Sequence, residues 1–319
     1  MLRRLSIAAL SLAVASVAFA KGDAISLIPN DAVTVGVVKL AELRNSPLSS
    51  TLFQQTDKMS VDGDAAKFMR DAGLQPAKDV DVLVISMSPK TAGVGSEGEV
   101  LIAADGRFNI DRLTKALLAR GAVKKNGYIT LPDSKDDDQP GAVAFPDSHL
   151  ALIGNESAVA EALAVRATGG TTFLSASGLG REIARIDPKA SAYAVFDVAR
   201  AQRLAHHPHI SSESAPASAL SSALKSVSTV AIWAVDTGDS LKLGGFGVAR
   251  DAETLQLLED TLRGALAAMR LAVQDKAPEL VSVLRKFDVS RTSDSVAISG
   301  TLPGETLKDI IAKQHHDAR

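Results

Sequence analysis

The sequence predicts an α+β protein of two tandem related units, each a mainly antiparallel sheet with helices packed on one face. Three observations carry that expectation. The text from Ile28 to Val38, IPNDAVTVGVV, is echoed from Asp187 to Phe196, DPKASAYAVF, and later segments match in the same order. Short Val-rich runs bounded by Pro, Gly and Asp read as strands. Apolar residues at helical spacing, with caps before and glycines after, follow each strand pair.

The boundaries follow from the repeat. Residues 1–20 read as a signal peptide, 21–168 as the first unit, 169–186 as a linker helix and 187–319 as the second unit. Each unit opens with a strand, Val33 to Leu40 and Ala190 to Val198. In the first, Ser46-Pro47 starts a short helix, and Asp64 to Ala72 forms a second one that stops at Gly73. Two hairpin strands follow, Asp81 to Met87 with Glu99 to Ala104, matched by Thr229 to Val235 with Leu241 to Val248. Asn109 caps a helix burying Ile110, Leu113, Leu117 and Leu118, with Gly121 beyond its end. Asp251 caps a longer equivalent that keeps its period through Leu255, Leu258, Leu262, Leu266, Met269 and Val273 and runs through Gly264. Each unit closes on a strand ending at Gly154 or Gly300 and a short helix, the first capped by Asn155. A sheet covered by helices on one face leaves its other face to be buried, so the two units are expected to share a large apolar interface.

The ends and composition narrow the function classes. Arg3 and Arg4, the apolar run Leu5 to Val17 and the small-x-small triplet Ala18-Phe19-Ala20 predict export and cleavage after Ala20, giving a periplasmic or secreted protein. Removing Arg3 and Arg4 from the 35 basic residues leaves 33 against 37 acidic ones, a mature formal charge of −4. No Lys/Arg stripe stands out, which argues against nucleic acid, and no later apolar run reaches membrane-spanning length. The chain has no cysteine, so disulfides, thiolate metal sites and a Cys nucleophile are excluded. One Trp, two Tyr and nine Phe are too few for stacking platforms, and Trp233 and Tyr193 fall in strand-like runs where core packing explains them.

Candidate chemistry is sparse. His206, His207 and His209 are the densest ligand-capable cluster, but the sequence offers neither the remaining ligands nor the outer partners that a zinc site needs. Ser222 and Lys225 match Ser-x-x-Lys without its companion elements. Asp133 and Asp136 to Asp138 lack the alternating spacing of a calcium loop. Asp105, Arg107, Asp111 and Arg112 form a charged strand-to-helix junction that Arg250, Asp251 and Glu253 partly repeat. Capping and helix-dipole complementarity account for the acids there. No catalytic, cofactor or metal residue is assigned.

The order of segments resembles an uncharacterised group of exported bacterial proteins with no described activity. The residues carrying it are Asn45-Ser46-Pro47-Leu48, Gly106-Arg107-Phe108-Asn109, the stretch Phe173 to Ile186, Ile232-Trp233-Ala234-Val235 and Val296-Ala297-Ile298-Ser299. The resemblance implies the duplicated architecture and export, and brings no site residues. The sequence therefore points to a non-catalytic binding or interaction module of the cell envelope whose partner is another envelope or extracellular protein. The alternative is a periplasmic hydrolase with a carboxylate or Ser site that no motif reveals.

Overall fold

The structure, a computed structural model, describes residues 23–49, 64–89, 98–132, 140–169, 173–176, 178–204, 223, 226–274 and 277–309. Among these, twelve strands form one antiparallel sheet: β1 (Thr34–Val38), β2 (Val80–Ser88), β3 (Glu99–Gly106), β4 (Val123–Lys124), β5 (Ile129–Thr130), β6 (Gly141–Asp147), β7 (Leu150–Asn155), β8 (Ala192–Asp197), β9 (Thr229–Asp236), β10 (Ser240–Val248), β11 (Asp288–Arg291) and β12 (Ser295–Pro303). Their order is β11-β12-β10-β9-β8-β1-β2-β3-β7-β6-β5-β4. The α+β class and antiparallel sheet expected from sequence are both present.

The sheet is organised about the pair β1–β8, in register with Gly36 opposite Ala194 and Val37 opposite Tyr193. Outward from it, β1-β2-β3-β7-β6 and β8-β9-β10-β12-β11 follow the same order, and the first arm adds β5 and β4. Val82 to Ile85 and Val230 to Trp233 thus lie in the strands second from the junction on either side. The arms meet edge to edge through backbone hydrogen bonds, and one apolar core on the covered face runs across both. Pairing two edge strands satisfies both rows of peptide groups and removes two free edges.

One face of the sheet is thoroughly covered. Val35, Val37, Val84, Leu101, Leu152 and Val195 pack there against Leu27 and Ile28, which follow and flank α1 (Asp23–Ser26), Val159 and Ala162 of α6 (Glu156–Thr168), Phe173 of α7 (Phe173–Ala176) and Leu179 of α8 (Gly178–Ile183). The linker helix therefore appears as two short helices ending at Ile183. The backbone N–H of Ala24 donates to the buried carboxylate of Asp105, at 3.2 Å to Oδ1, which seats α1 on the sheet.

The other face carries α3 (Asp64–Ala72) and α5 (Ile110–Leu118) on the first arm, with α2 (Leu40–Arg44) and α4 (Pro76–Asp79) at its margin. On the second arm lie α9 (Val198–Leu204), α10 (Ala252–Val273) and α11 (Pro278–Leu284), where Leu255, Leu258 and Leu266 pack with Val289 and Val296. Helices thus occupy both faces, and the one-face placement expected from sequence is corrected. The reason is visible in Val82-Leu83-Val84-Ile85 and Val230-Ala231-Ile232-Trp233. Strands apolar at consecutive positions present an apolar surface on each side.

Local signals behave as their chemistry dictates. Asn109 accepts from Arg112 N–H at 3.0 Å, and Asp251 accepts from Thr254 N–H at 2.7 Å, so both are true N-caps. Gly73 and Gly121 end their helices with φ of 65° and 87°. Helix α10 does run through Gly264, but Leu118 on α5 and Met269 on α10, both expected inside, are 42% and 44% exposed. Asn155 precedes α6 as expected, but its side chain instead accepts from Val100 N–H at 2.6 Å.

Two strand glycines make opposite predictions. A Cβ on Gly244 would collide with the indole of Trp233, its cross-strand partner, whereas one on Gly36 would meet only the Tyr193 carbonyl oxygen at 4.0 Å. Gly36→Ala should raise stability by about 0.5–1 kcal/mol through reduced unfolded-state entropy. Gly244→Ala should lower it by roughly 1–3 kcal/mol through overpacking. Thermal melts of the two variants check both signs.

Asp236, at the end of β9, ties the arms together by accepting from the Ser49 hydroxyl of the first arm. It also accepts from Gly238 N–H at 2.7 Å. Burial pushes its carboxyl up, but the hydroxyl and backbone donors outweigh this and hold it below the usual carboxylate range. A depressed folded-state value means that its stabilisation is complete above the unfolded value of about 4 and is lost as pH falls through the folded one. The urea-midpoint gap between the parent and Asp236→Asn should therefore be widest near neutrality and close in acid.

Candidate functional site

Residues directly opposite in neighbouring strands project to the same face, so the pairings give the surface of the central strands on the side of α3, α5 and α10. Its middle row runs Ile153–Ile102–Ile85–Gly36–Ala194–Ile232–Gly245–Ile298. On one side lies Met87–Thr34–Phe196–Val230, and on the other Leu83–Val38–Ala192–Ala234. Thr34 is the only polar residue in these rows.

The middle of this surface is bare among the described residues. Ile85, Met87 and Ile232 are 42%, 45% and 51% exposed, whereas Val35, Val84 and Val195 on the opposite face are fully buried. Helices α3 and α5 stand over one arm and α10 over the other, while the short α2 and α9 lie against β2 and β9. Ile85, Met87 and Ile232 stay exposed between them.

Next to the bare rows lies a cavity of about 440 Å³ between the first arm and its helices. Phe68 of α3, Leu74 and Pro76 of the following turn, and Phe108, Leu113 and Leu117 on or beside α5 form its outer wall. Leu83, Ile102, Phe145, Ala151 and Ile153 form its floor. Ile102 and Ile153 also stand in the middle row beside the exposed Ile85, so the cavity floor continues into that row. Every wall residue is apolar, and the volume falls within the range of small-molecule sites.

The outer side of α3 and α5 is polar. One open depression of about 850 Å³ is lined by Lys67, Asp71, Arg112, Lys115 and Arg120. Another, about 770 Å³, is lined by Arg70, Gly73, Leu74, Gln75, Pro76, Lys78 and Arg112. Arg120 pairs with Asp71 at 3.2 Å and lies 5.2 Å over the ring of Phe68, whose side chain also lines the cavity.

The charged junction singled out from sequence is dispersed. Asp105 turns to the covered face under α1. Arg107 pairs with Asp81 at 3.1 Å and also donates to the Lys78 carbonyl. Asp111 is an exposed residue in the first turn of α5, and Arg112 Nε donates to the Asp71 carbonyl at 3.2 Å. Arg250 and Glu253 are exposed beside the Asp251 cap. Trp233 and Tyr193 do pack against the core, and burial pushes the Tyr193 hydroxyl up to about 12. His206, His207, His209, Ser222, Lys225, Asp133 and Asp136 to Asp138 lie outside the described residues. Among the described residues no three or more His, Cys, Asp or Glu are grouped to hold a metal ion. No helix among them is long and apolar enough to cross a membrane.

Sequence reasoning missed two arrangements. One is a clasp in which Glu156 Oε1 accepts from Lys125 Nζ and from the Tyr128 hydroxyl, each at 2.6 Å. Those two bonds hold the Glu156 carboxyl below its ordinary range. The other is the cavity. Its signal was present in Phe68, Phe108 and Phe145, three rings on separate elements of one unit, but periodicity alone does not show that they leave space between them.

No family model matches the chain, and no curated protein matches it. Among solved structures it is similar to crystal forms I, III and IV of TP0453, at TM-scores of 0.45, 0.46 and 0.45 and identities of 11%, 8% and 9%. The matches cover 91%, 92% and 90% of this chain and 96%, 98% and 95% of TP0453. At these values the likeness assigns neither family nor function.

The openness of the central rows has a direct check. Ile85→Thr and Ile232→Thr should each change unfolding free energy by less than about 1 kcal/mol, as half-exposed sites do. Val84→Thr, which puts a hydroxyl into the covered face, should cost roughly 1–3 kcal/mol. Urea titration of the three variants separates the faces.

Proposed function

We propose that the chain is an exported, non-catalytic binding module of the cell envelope that holds an apolar ligand in the cavity beside its bare sheet face. The observation carrying this reading is the cavity of about 440 Å³ whose walls are apolar throughout and continue onto the open rows. Such walls retain an apolar molecule by excluding water. They bring no Ser, His, Asp or Glu against it, which favours holding over hydrolysis. The location rests on Arg3, Arg4, the apolar run to Val17 and Ala18-Phe19-Ala20, together with the resemblance to an exported group. The same rows favour a second role for the bare face, as the contact surface for a protein partner, because exposed contiguous apolar surface is rare on free proteins. The parallel strand order of the arms supports their origin by duplication.

The test uses 1-decanol as a neutral apolar probe on the purified mature chain. Decanol should raise the melting temperature and bind saturably in calorimetry. Ala151→Phe, which fills the cavity floor, should abolish both effects. Ile153→Phe, a change at a half-exposed position of the floor, should weaken binding even if Ala151→Phe fails to fold. No saturable binding by the folded parent chain would overturn the reading.

A further inference from the structure

We infer that the ligand is an anionic single-chain amphiphile, a long-chain carboxylate whose alkyl tail enters the cavity while its head meets Lys78 and Arg112 at the rim. This deepens the cavity reading and rests on it. Leu74 and Pro76 supply the geometric link. They line the apolar cavity, and they also line the outer depression that contains Arg70, Lys78 and Arg112. The apolar cavity and the surface carrying Arg70, Lys78 and Arg112 therefore meet at Leu74 and Pro76, between α3 and the start of α4.

The sequence places charge there with some care. Residues 64–79 and 107–120, which build this layer, hold seven Lys and Arg against four Asp in a chain of formal net charge −2. Three of the nearby acids are engaged elsewhere. Asp71 pairs with Arg120 at 3.2 Å, and Asp79 accepts Gln75 N–H at 2.7 Å. Asp81 sits between Arg44 and Arg107 at 3.0 and 3.1 Å. Asp111 stands in the first turn of α5, one position before Arg112. Arg112 reaches the rim because Gly73 has no side chain. A Cβ there would strike the guanidinium, and the φ of 65° independently favours glycine. Its Nε bond to the Asp71 carbonyl fixes the group and leaves its terminal nitrogens to the open depression. Lys78 is exposed alongside.

The occupant follows from these two chemistries. Walls without a polar atom to pair select a chain of methylenes, and a cavity of about 440 Å³ lies toward the small end of ligand sites, which suits one chain rather than two. The cationic rim selects an anionic head, and a planar guanidinium matches a carboxylate in geometry.

Decanoate and 1-decanol, which share a tail and differ in the head, form the matched pair for calorimetry on the mature chain at pH 8. Decanoate should bind more tightly than decanol, and raising salt from roughly 50 to 500 mM should remove most of the difference. In the double variant Lys78→Gln/Arg112→Gln, decanoate should weaken roughly five- to tenfold while decanol is unchanged. Arg112→Lys should retain part of the preference. Both changes are at exposed positions, and circular dichroism confirms that the variants are folded. If decanol binds but decanoate binds no more tightly, or if the double variant holds decanoate as well as the parent does, the anionic assignment fails and the cavity reading stands. If neither probe binds, both fail. Capture by anionic phospholipid vesicles without binding of free decanoate would also overturn it, by placing the ligand in a bilayer surface.

Discussion

The antiparallel pairing of β1 with β8 is the interaction on which the rest of the molecule depends. Both strands are short, and each is the inner edge of its arm, so their mutual hydrogen bonds turn two edges into the middle of one sheet. Register matters more than strength there. A slip of β1 by one residue would send Val35 and Val37 to the opposite face and turn Gly36 toward the core, while Val195 of β8 stayed in place. The packing of α1, α6, α7 and α8 across both arms on the covered face enforces the correct alignment, because those apolar positions fit in no other register.

That same junction explains why, among the described residues, the opposite face is open where it is. The helices following each hairpin, α5 and α10, are tethered to the outer strands of their own arms. Neither reaches the shared centre, where small residues at Gly36 and Ala194 keep the surface low. An apolar trough between two helical walls is therefore a product of topology. Apolar contact gives adhesion with little orientation, whereas placed charges give direction with little adhesion. The first arm sets the two side by side, with Leu74 and Pro76 as the border.

What the sequence revealed divides along the same physical lines. Caps at Asn109 and Asp251, and stops at Gly73 and Gly121, were legible because each depends on a few consecutive residues. The class and the succession of elements along each half were legible because apolar period and turn chemistry recur in both halves. The joining of β1 to β8 was not, since backbone bonds across a sheet carry no side-chain signature. Helices on both faces could have been anticipated from the unbroken apolar runs in β2 and β9. The cavity could not, because space left between Phe68, Leu113 and Phe145 depends on how three elements settle together. Asn155 shows the limit at one residue: its position before α6 was right, yet its side chain serves the end of β3.

Gly244 and Trp233 carry a consequence beyond packing. Trp233 is the only indole in the chain, lying against the covered core with its ring 5.8 Å from Phe246, over which Arg185 stands at 4.8 Å. Its emission therefore reports the closed side of the sheet alone. Loosening of the segment between the arms would be seen as a red shift, while events on the open side would pass unseen by this chromophore. The protein carries a built-in optical probe for one of its two surfaces.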